Sequence, residues 1–252
     1  MSKKSNMVLK SAHFRKHVKI CLVFLTLLTI LNLTALSLAL FFQIKNSKLT
    51  GAEIFKNNIN GIVEVKAYTE DVGESFGTAE FIDSDGRLVT NAHVVTYTSL
   101  SVVNTFEKYY IRFATDEEYI EVSLIKYDTD LDIAVLQMNP TIHKFTTLTT
   151  ADSSKIETGD KVYAMGNTAN YGISMSEGIV GSPLININYN NITRSVIQCS
   201  ITIAEGNSGG ALLDDDGKLI GITTFRTKDS SGNPIYGIAY CIPINTVLEY
   251  IK

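Results

Sequence analysis

A serine flanked by glycines is the first feature of this sequence that could carry out chemistry. Ser208 lies in the run Glu205-Gly206-Asn207-Ser208-Gly209-Gly210, between two apolar segments of β character. A tight turn would expose the hydroxyl, and the neighbouring glycines leave backbone N–H groups free to face a ligand. A glycine-rich β-turn in which the serine has no chemical role gives the same pattern. This stretch alone leaves both interpretations open.

A nucleophilic serine needs a base, and histidine is the usual one. The chain has four histidines. His13 and His17 precede a long apolar stretch, and His143 lies in a polar connection where we expect it to face solvent. His93 ends a predicted strand and is therefore the candidate base. The alternative is a histidine of the core or of a turn that never meets Ser208.

The base in turn needs an acidic group that holds it in position. Asp128, Asp130 and Asp132 compete for this role, although aspartates in turns ordinarily only shape the turn. We prefer Asp132, because the apolar strand predicted over residues 133–136 would hold it rigidly.

The number and spacing of histidines and cysteines also disfavour metal chemistry. The chain has no H-E-x-x-H motif and no cluster of cysteines and histidines, so we expect neither a metal nor another cofactor. Cys199 and Cys241 lie in apolar β patterns. They could form a disulfide in an exported protein, or remain two buried thiols, which is the interpretation we favour.

Short strands must position these residues. From residue 61 onward, segments rich in Val, Ile, Thr and Tyr alternate with Gly, Asn and Asp. They form two runs of similar length, residues 61–145 and 146–252, which predicts two β-barrels or sandwiches. Residues 43–60 before them are predicted to be a polar linker with one short helical turn.

The N-terminal part predicts a membrane anchor. Residues 1–19 contain six cations and no acidic residue, and residues 20–42 are almost wholly apolar and long enough to cross a bilayer as a helix. The cations predict a cytoplasmic basic tail, a single span through the cell membrane and an extracellular remainder. A signal peptide cleaved near Ser37-Leu38-Ala39 is the alternative. The apolar run continues beyond that site, which favours an uncleaved signal anchor.

The net charge of the chain indicates which kinds of partner are disfavoured. The whole chain has a net charge of −4 and residues 1–19 contribute +6, so residues 20–252 carry −10. An acidic exported part disfavours nucleic acid as a partner.

Three blocks in the order His, Asp, Ser carry a family resemblance. They are Thr90-Asn-Ala-His-Val-Val95, Asp130-Leu-Asp-Ile-Ala-Val-Leu136 and Gly206-Asn-Ser-Gly-Gly-Ala-Leu212. Further blocks agree at residues 159–167, 176–182 and 236–245. From about residue 61 to its end, the chain resembles trypsin-like serine proteases of the HtrA (DegP) family.

The resemblance implies an all-β fold of two perpendicular six-stranded barrels, as in chymotrypsin and trypsin, preceded here by the transmembrane helix. It implies that Ser208 is the nucleophile, His93 the base and Asp132 the orienting acid. The backbone N–H groups of Gly206 and Ser208 would form the oxyanion hole. It also implies a P1 pocket with Thr202 at its base and walls formed by residues of two later segments, namely Thr223, Thr224, Phe225, Gly237, Ile238 and Ala239.

The expected function is therefore a membrane-anchored serine endopeptidase that cleaves peptide bonds of exported or misfolded proteins. No acidic residue occupies the Thr202 position, so we expect a small or medium aliphatic P1 residue and not a basic one. Because the chain ends soon after Asn245, we expect none of the PDZ domains usual in the family. A homo-oligomer is implied by the relatives alone. The alternative function is a catalytically silent module of protease fold on the cell surface that only binds peptides.

Overall fold

A computed structural model describes residues 3–45, 48–189, 192–228 and 234–252. The chain divides into two compact units, Met1–Lys48 and Leu49–Lys252. In the first unit the structure describes one helix, α1 (Lys3–Lys45). Within it, the stretch Phe14–Phe41 is long and apolar enough to cross a membrane, and it overlaps the predicted span of residues 20–42.

The second unit begins with a helix where a linker was predicted. Helix α2 (Gly51–Asn58) is capped by Thr50, whose hydroxyl accepts a hydrogen bond from the backbone N–H of Glu53 while the Glu53 carboxylate accepts one from the backbone N–H of Thr50. This reciprocal capping box stabilises the first turn. Ile54 is completely buried in the core of the unit. Residues 51–58 therefore form a packed helix and not only a polar linker, because the buried side chain of Ile54 attaches the helix to the core.

The first barrel is a closed ring of six strands in the order β1-β2-β3-β8-β7-β6, with a one-turn helix and a separate hairpin, β4-β5, between β3 and β6. Its elements are β1 (Ile62–Thr69), β2 (Gly73–Phe81), β3 (Arg87–Thr90), α3 (Ala92–Val95), β4 (Thr96–Ser99), β5 (Val102–Thr105), β6 (Lys108–Phe113), β7 (Ile120–Asp128) and β8 (Ile133–Gln137).

The second barrel is a closed ring in the order β10-β11-β14-β13-β12-β9 and is followed by a short helix. Its elements are β9 (Lys161–Asn167), β10 (Ile173–Tyr189), β11 (Ile192–Cys199), β12 (Ala211–Leu213), β13 (Leu219–Lys228), β14 (Pro234–Pro243) and α4 (Ile244–Tyr250). The two closed rings confirm the predicted all-β fold of two six-stranded barrels.

Three hydrophobic clusters hold this unit together. One fills the first barrel and another the second. The third joins the two barrels, since it combines Ile62 and Val89 of the first with Met165 and Ala211 of the second, and it also includes Ile54 of α2. Burying apolar surface between the barrels fixes the cleft that they share.

Candidate active site

His93 lies in the one-turn helix that follows β3, and its side chain is about half exposed, at 49%. Two hydrogen bonds fix the chain at the point where β3 ends. The Thr90 hydroxyl donates to the carbonyl of Thr78 at 2.7 Å, and the side-chain amide of Asn91 donates to the carbonyl of Asp132 at 2.9 Å. The imidazole is therefore presented to the cleft from a rigid corner.

Asp132 is the aspartate that meets this histidine. Nδ1 of His93 lies 3.0 Å from each Asp132 carboxylate oxygen, and the backbone N–H of His93 donates to Oδ1 at 3.1 Å. Asp128, one of the competing residues, instead accepts hydrogen bonds from the backbone N–H groups of Asp130 and Leu131 and so shapes the turn. Asp132 has a φ of 59°, a left-handed conformation that aspartate tolerates better than most residues.

A threonine from the second barrel completes the surroundings of Asp132. The Thr224 hydroxyl donates to Oδ2 at 2.6 Å. Burial raises the pKa of Asp132, but attraction to His93 and the hydrogen bonds from His93 and Thr224 outweigh it and hold the pKa below its ordinary value. The carboxylate is thus kept ionised beside the imidazole. The sequence predicted Thr224 as part of a pocket wall and did not indicate this contact.

Ser208 lies in the same cavity as His93 and Asp132. Its hydroxyl donates to the carbonyl of Thr224 at 3.2 Å. Within the described ranges, no hydrogen bond joins Ser208 to His93. The three predicted residues therefore share one cleft, while the serine hydroxyl is directed at the backbone of β13.

The loop before Ser208 presents two free backbone donors. Gly206 has a φ of +87°, and the carbonyl of Glu205 accepts a hydrogen bond from the backbone N–H of Ala169 at 2.7 Å. Across residues 3–45, 48–189, 192–228 and 234–252, the N–H groups of Gly206 and Ser208 donate to no acceptor. A Cβ at Gly206 would lie 2.0 Å from the carbonyl oxygen of Asn167, so only glycine fits.

Thr78 on β2 attaches this loop to the first barrel, and no local sequence pattern predicts this role. Its backbone N–H donates to the carbonyl of Ser208 at 2.8 Å, and its hydroxyl donates to the carbonyl of Gly206 at 2.7 Å. The same hydroxyl accepts a hydrogen bond from the backbone N–H of Asn167 at 2.8 Å. One threonine therefore fixes the loop before and after Asn207.

The cleft contains a cavity of about 530 Å³ lined by residues of both barrels. Of the residues predicted to bind substrate, Thr224 and Phe225 line it. The other predicted residues do not line the cavity. Thr202 is exposed, the Thr223 hydroxyl donates to the carbonyl of Asn207, and Ala239 is fully buried in the second barrel. Gly237 and Ile238 precede Ala239 on β14 and do not line the cavity in the described part of the chain either.

Other residues that the sequence did not single out line the cavity, notably Tyr97, Val103, Arg194 and Arg226. Arg194 on β11 donates to the carbonyls of Thr129 and Asp130, both at 2.7 Å. The long β10-β11 hairpin is thereby tied to the turn that precedes Asp132. These contacts join residues that are distant in sequence, so no local pattern could have indicated them.

Two further predictions can be compared with the structure. His143 does not face solvent freely, because its ring stacks on Phe113 with centroids 4.0 Å apart and its Nε2 lies 3.1 Å from Oδ2 of Asp116. Cys199 and Cys241 are both buried free thiols. No group of three or more metal-binding side chains occurs among the described residues.

A comparison with protein families shows which family this chain belongs to. The family model described as trypsin-like peptidase domain matches residues 77–222, which is more than half of the chain. The chain belongs to the trypsin-like peptidase family. The matched range includes His93, Asp132 and Ser208.

Relatives of this trypsin-like peptidase are named DegP or HtrA. A probable periplasmic serine endoprotease DegP-like from Bartonella henselae is 35% identical over 179 residues, covering 71% of this chain and 33% of the relative. Periplasmic serine endoprotease DegP from Escherichia coli K12 is 35% identical over 179 residues, covering 69% of this chain and 34% of the relative. The chain thus spans about a third of the length of these two relatives.

A solved structure gives the same result. The HtrA-type protease AlgW with a tripeptide superposes with a TM-score of 0.70 at 27% identity, covering 81% of this chain and 62% of that one. The predicted kinship with HtrA (DegP) proteases is confirmed.

Proposed function

We propose that this protein is a membrane-anchored serine endopeptidase that uses Ser208, His93 and Asp132. The observation that carries the proposal is the contact of Asp132 with Nδ1 of His93 in the cavity that also contains Ser208. The DegP relatives are also named serine endoproteases.

Each residue has a distinct role in this reaction. The Ser208 hydroxyl attacks the peptide carbonyl while His93 accepts its proton and later gives it to the leaving amine. Asp132 holds the imidazole with its Nδ1 protonated and stabilises the imidazolium as it forms. The N–H groups of Gly206 and Ser208 stabilise the developing oxyanion, at about 3 kcal/mol for each donor.

The serine hydroxyl must leave the carbonyl of Thr224 before it can react. A rotation about the Cα–Cβ bond of Ser208 exchanges that hydrogen bond for one to Nε2 of His93. Hydrogen bonds of catalytic groups are often long or misdirected without substrate. Substrate binding therefore completes the site rather than building it.

The experiment that tests this function compares the full chain in detergent with its Ser208→Ala variant. Both are incubated with an unfolded protein, and the fragments are identified by mass spectrometry. We expect cleavage by the parent and a loss of at least about 10³-fold in the variant, because the nucleophile is gone while the fold is unchanged. Equal cleavage by both proteins would contradict the proposal.

A silent peptide-binding module is the second candidate, and the hydrogen bond from Ser208 to Thr224 favours it. Covalent labelling separates the two functions. A fluorophosphonate labels Ser208 of an active peptidase, whereas a module whose hydroxyl stays on Thr224 binds peptide without being labelled.

We also propose that α1 anchors the protein, with residues 1–19 in the cytoplasm and the barrels outside the cell. The excess of cations before the apolar stretch supports this orientation. The names of the DegP relatives place those proteins in the periplasm. Exported or misfolded proteins are accordingly the proposed substrates, and protein quality control the proposed process. Assembly into a homo-oligomer is a further part of this proposal.

A further inference from the structure

Arg226 lies on β13, two residues beyond Thr224, and lines the same cavity as Ser208. Its Nη1 donates to the carbonyl of Ile203 at 3.3 Å. Ile203 belongs to the loop that leads to Ser208, and it is buried. The guanidinium therefore connects two segments of the wall of the cavity that also contains the proposed nucleophile.

Within the described ranges, this guanidinium has no acidic partner to match its charge. Arginine has five N–H donors, and the hydrogen bond to Ile203 uses one of them. Over the residues that the structure describes, no carboxylate forms an ion pair with Arg226. Glu205 also lines the cavity, but its side chain is exposed and makes no such pair.

The position of the guanidinium selects one residue of the substrate. A carbonyl attacked by Ser208 places its oxygen at the N–H groups of Gly206 and Ser208. Residues 203–205 and 224–226 line the cavity that contains Ser208, so we place the side chain of the residue that provides this carbonyl, the P1 residue, between these two segments. An apolar P1 side chain there would cover the guanidinium without replacing its water, which is unfavourable.

We propose that Arg226 makes the peptidase selective for an acidic P1 residue, Asp or Glu. This inference rests on the proposed endopeptidase function. A side-chain carboxylate can accept two parallel hydrogen bonds from the guanidinium, the strongest arrangement available to arginine. The sequence-based expectation of an aliphatic P1 residue considered the Thr202 position alone, and Thr202 does not line the cavity in the described part of the chain.

The test uses the full chain in detergent and three peptides that differ only in the P1 residue, which is Glu, Gln or Val. All three are amidated at the C-terminus, so the P1 side chain supplies the carboxylate that is being tested. We expect kcat/KM to be about 10- to 100-fold higher for Glu than for Gln, the range of a hydrogen bond to a charged group. High salt should reduce this ratio, because the cavity is open to solvent.

Three variants assign the ratio to Arg226. Arg226→Met should bring the Glu-to-Gln ratio close to one and improve cleavage after Val. Arg226→Lys should retain part of the preference, since it keeps the charge but loses the two-pronged geometry. Lys56→Gln removes a cation from the exposed face of α2 and should leave the ratio unchanged.

Labelling of Ser208 with a fluorophosphonate on the same preparation separates failure of this inference from failure of the proposed function. A labelled enzyme that cleaves the Gln or Val peptide as well as the Glu peptide overturns the acidic preference alone. A preference for Glu that survives in Arg226→Met also overturns it. Failure to label Ser208 together with failure to cleave any peptide overturns both proposals.

Discussion

At the scale of single residues, the cleft depends on hydrogen bonds that cross between the barrels. Asp132 belongs to the first barrel, yet its carboxylate is held by Thr224 of the second. Ser208 belongs to the second barrel, yet its carbonyl accepts a hydrogen bond from Thr78 of the first. Each side of the cleft therefore orients a group of the other side.

Replacing Thr224 tests the first of these contacts. In Thr224→Val, Asp132 loses a hydrogen bond to a charged group, so we expect kcat to fall about 10- to 100-fold. Thr224→Ser keeps the hydroxyl and should retain most of the activity. Steady-state kinetics on one peptide measures both, and a Val variant as active as the Ser variant would contradict the role assigned to Thr224.

The same substitution should change the response to acid. Because the folded-state pKa of Asp132 is lowered, its stabilisation is fully present above the ordinary value of 3.8 and is lost as the pH falls through the lowered value. Thr224→Val removes one cause of the lowering, so this stability should be lost at a higher pH. Thermal unfolding midpoints measured across acidic pH would show the shift, and identical profiles would contradict it.

Glu80 is a buried carboxyl group with an opposite response to pH. It lies on β2, fully buried, and neither of its carboxyl oxygens has a hydrogen-bond partner among the described residues. Burial raises its pKa well above the ordinary value of 4.5. Below pH 4.5 the carboxyl group is uncharged in both the folded and the unfolded protein, so it does not reduce stability through its charge. As the pH rises from 4.5 toward the raised pKa, the free energy of unfolding falls, because the unfolded state releases the proton more readily than the folded state.

We therefore expect Glu80→Met to stabilise the protein by about 1–3 kcal/mol at neutral pH, and by less in acid, where the glutamic acid is uncharged. Urea unfolding at two pH values measures the difference. Glu121→Met, at an exposed position on β7, is the matched control and should change little. Destabilisation by Glu80→Met at neutral pH would show that the carboxyl group has a stabilising partner in solution.

At the scale of elements, α2 is part of the folded unit. Its capping box fixes where it begins, and Ile54 joins the cluster that holds the two barrels together. Residues 51–58 thus contribute to the junction that forms the cleft.

Truncating Ile54 tests this contribution. Ile54→Ala should destabilise the protein by about 2–4 kcal/mol, because it removes a fully buried side chain from a packed core. Lys56→Ala, two residues along and on the exposed face, should stay within about 0.5 kcal/mol. Urea unfolding of both variants gives the comparison, and equal stabilities would mean that the segment behaves as a linker.

At the scale of the whole molecule, the two units have different requirements. The Phe14–Phe41 stretch exposes apolar side chains throughout, whereas Leu49–Lys252 buries three hydrophobic clusters of its own. The proposed anchoring and the proposed peptide chemistry therefore belong to separate parts of the chain.

Removing residues 1–48 should separate these properties. We expect residues 49–252 to fold, to be released into the soluble fraction and to cleave a short peptide with an unchanged kcat/KM. Fractionation of cells that produce either form, followed by peptide assays, measures both properties. A truncated protein that remains with the membrane would place a second membrane contact in the barrels.

The sequence by itself determined the features that depend on neighbouring residues. The apolar run of α1, the alternation of the strands and the short motifs around His93, Asp132 and Ser208 are all local, and they were enough to indicate the family and the two barrels. A short helical turn before the first barrel was also predicted, but the burial of Ile54 was not, because burial depends on what packs against the helix.

Only the tertiary structure decided which distant residues meet. Thr78 and Thr224 contact the cleft because closing two barrels brings β2 and β13 to it, and nothing in their local sequence marks them. For the same reason, Arg226 lines the cavity and Thr202 does not. A β-strand sets the alternation of its side chains, but the curvature and packing of the barrels decide which of them reach the substrate.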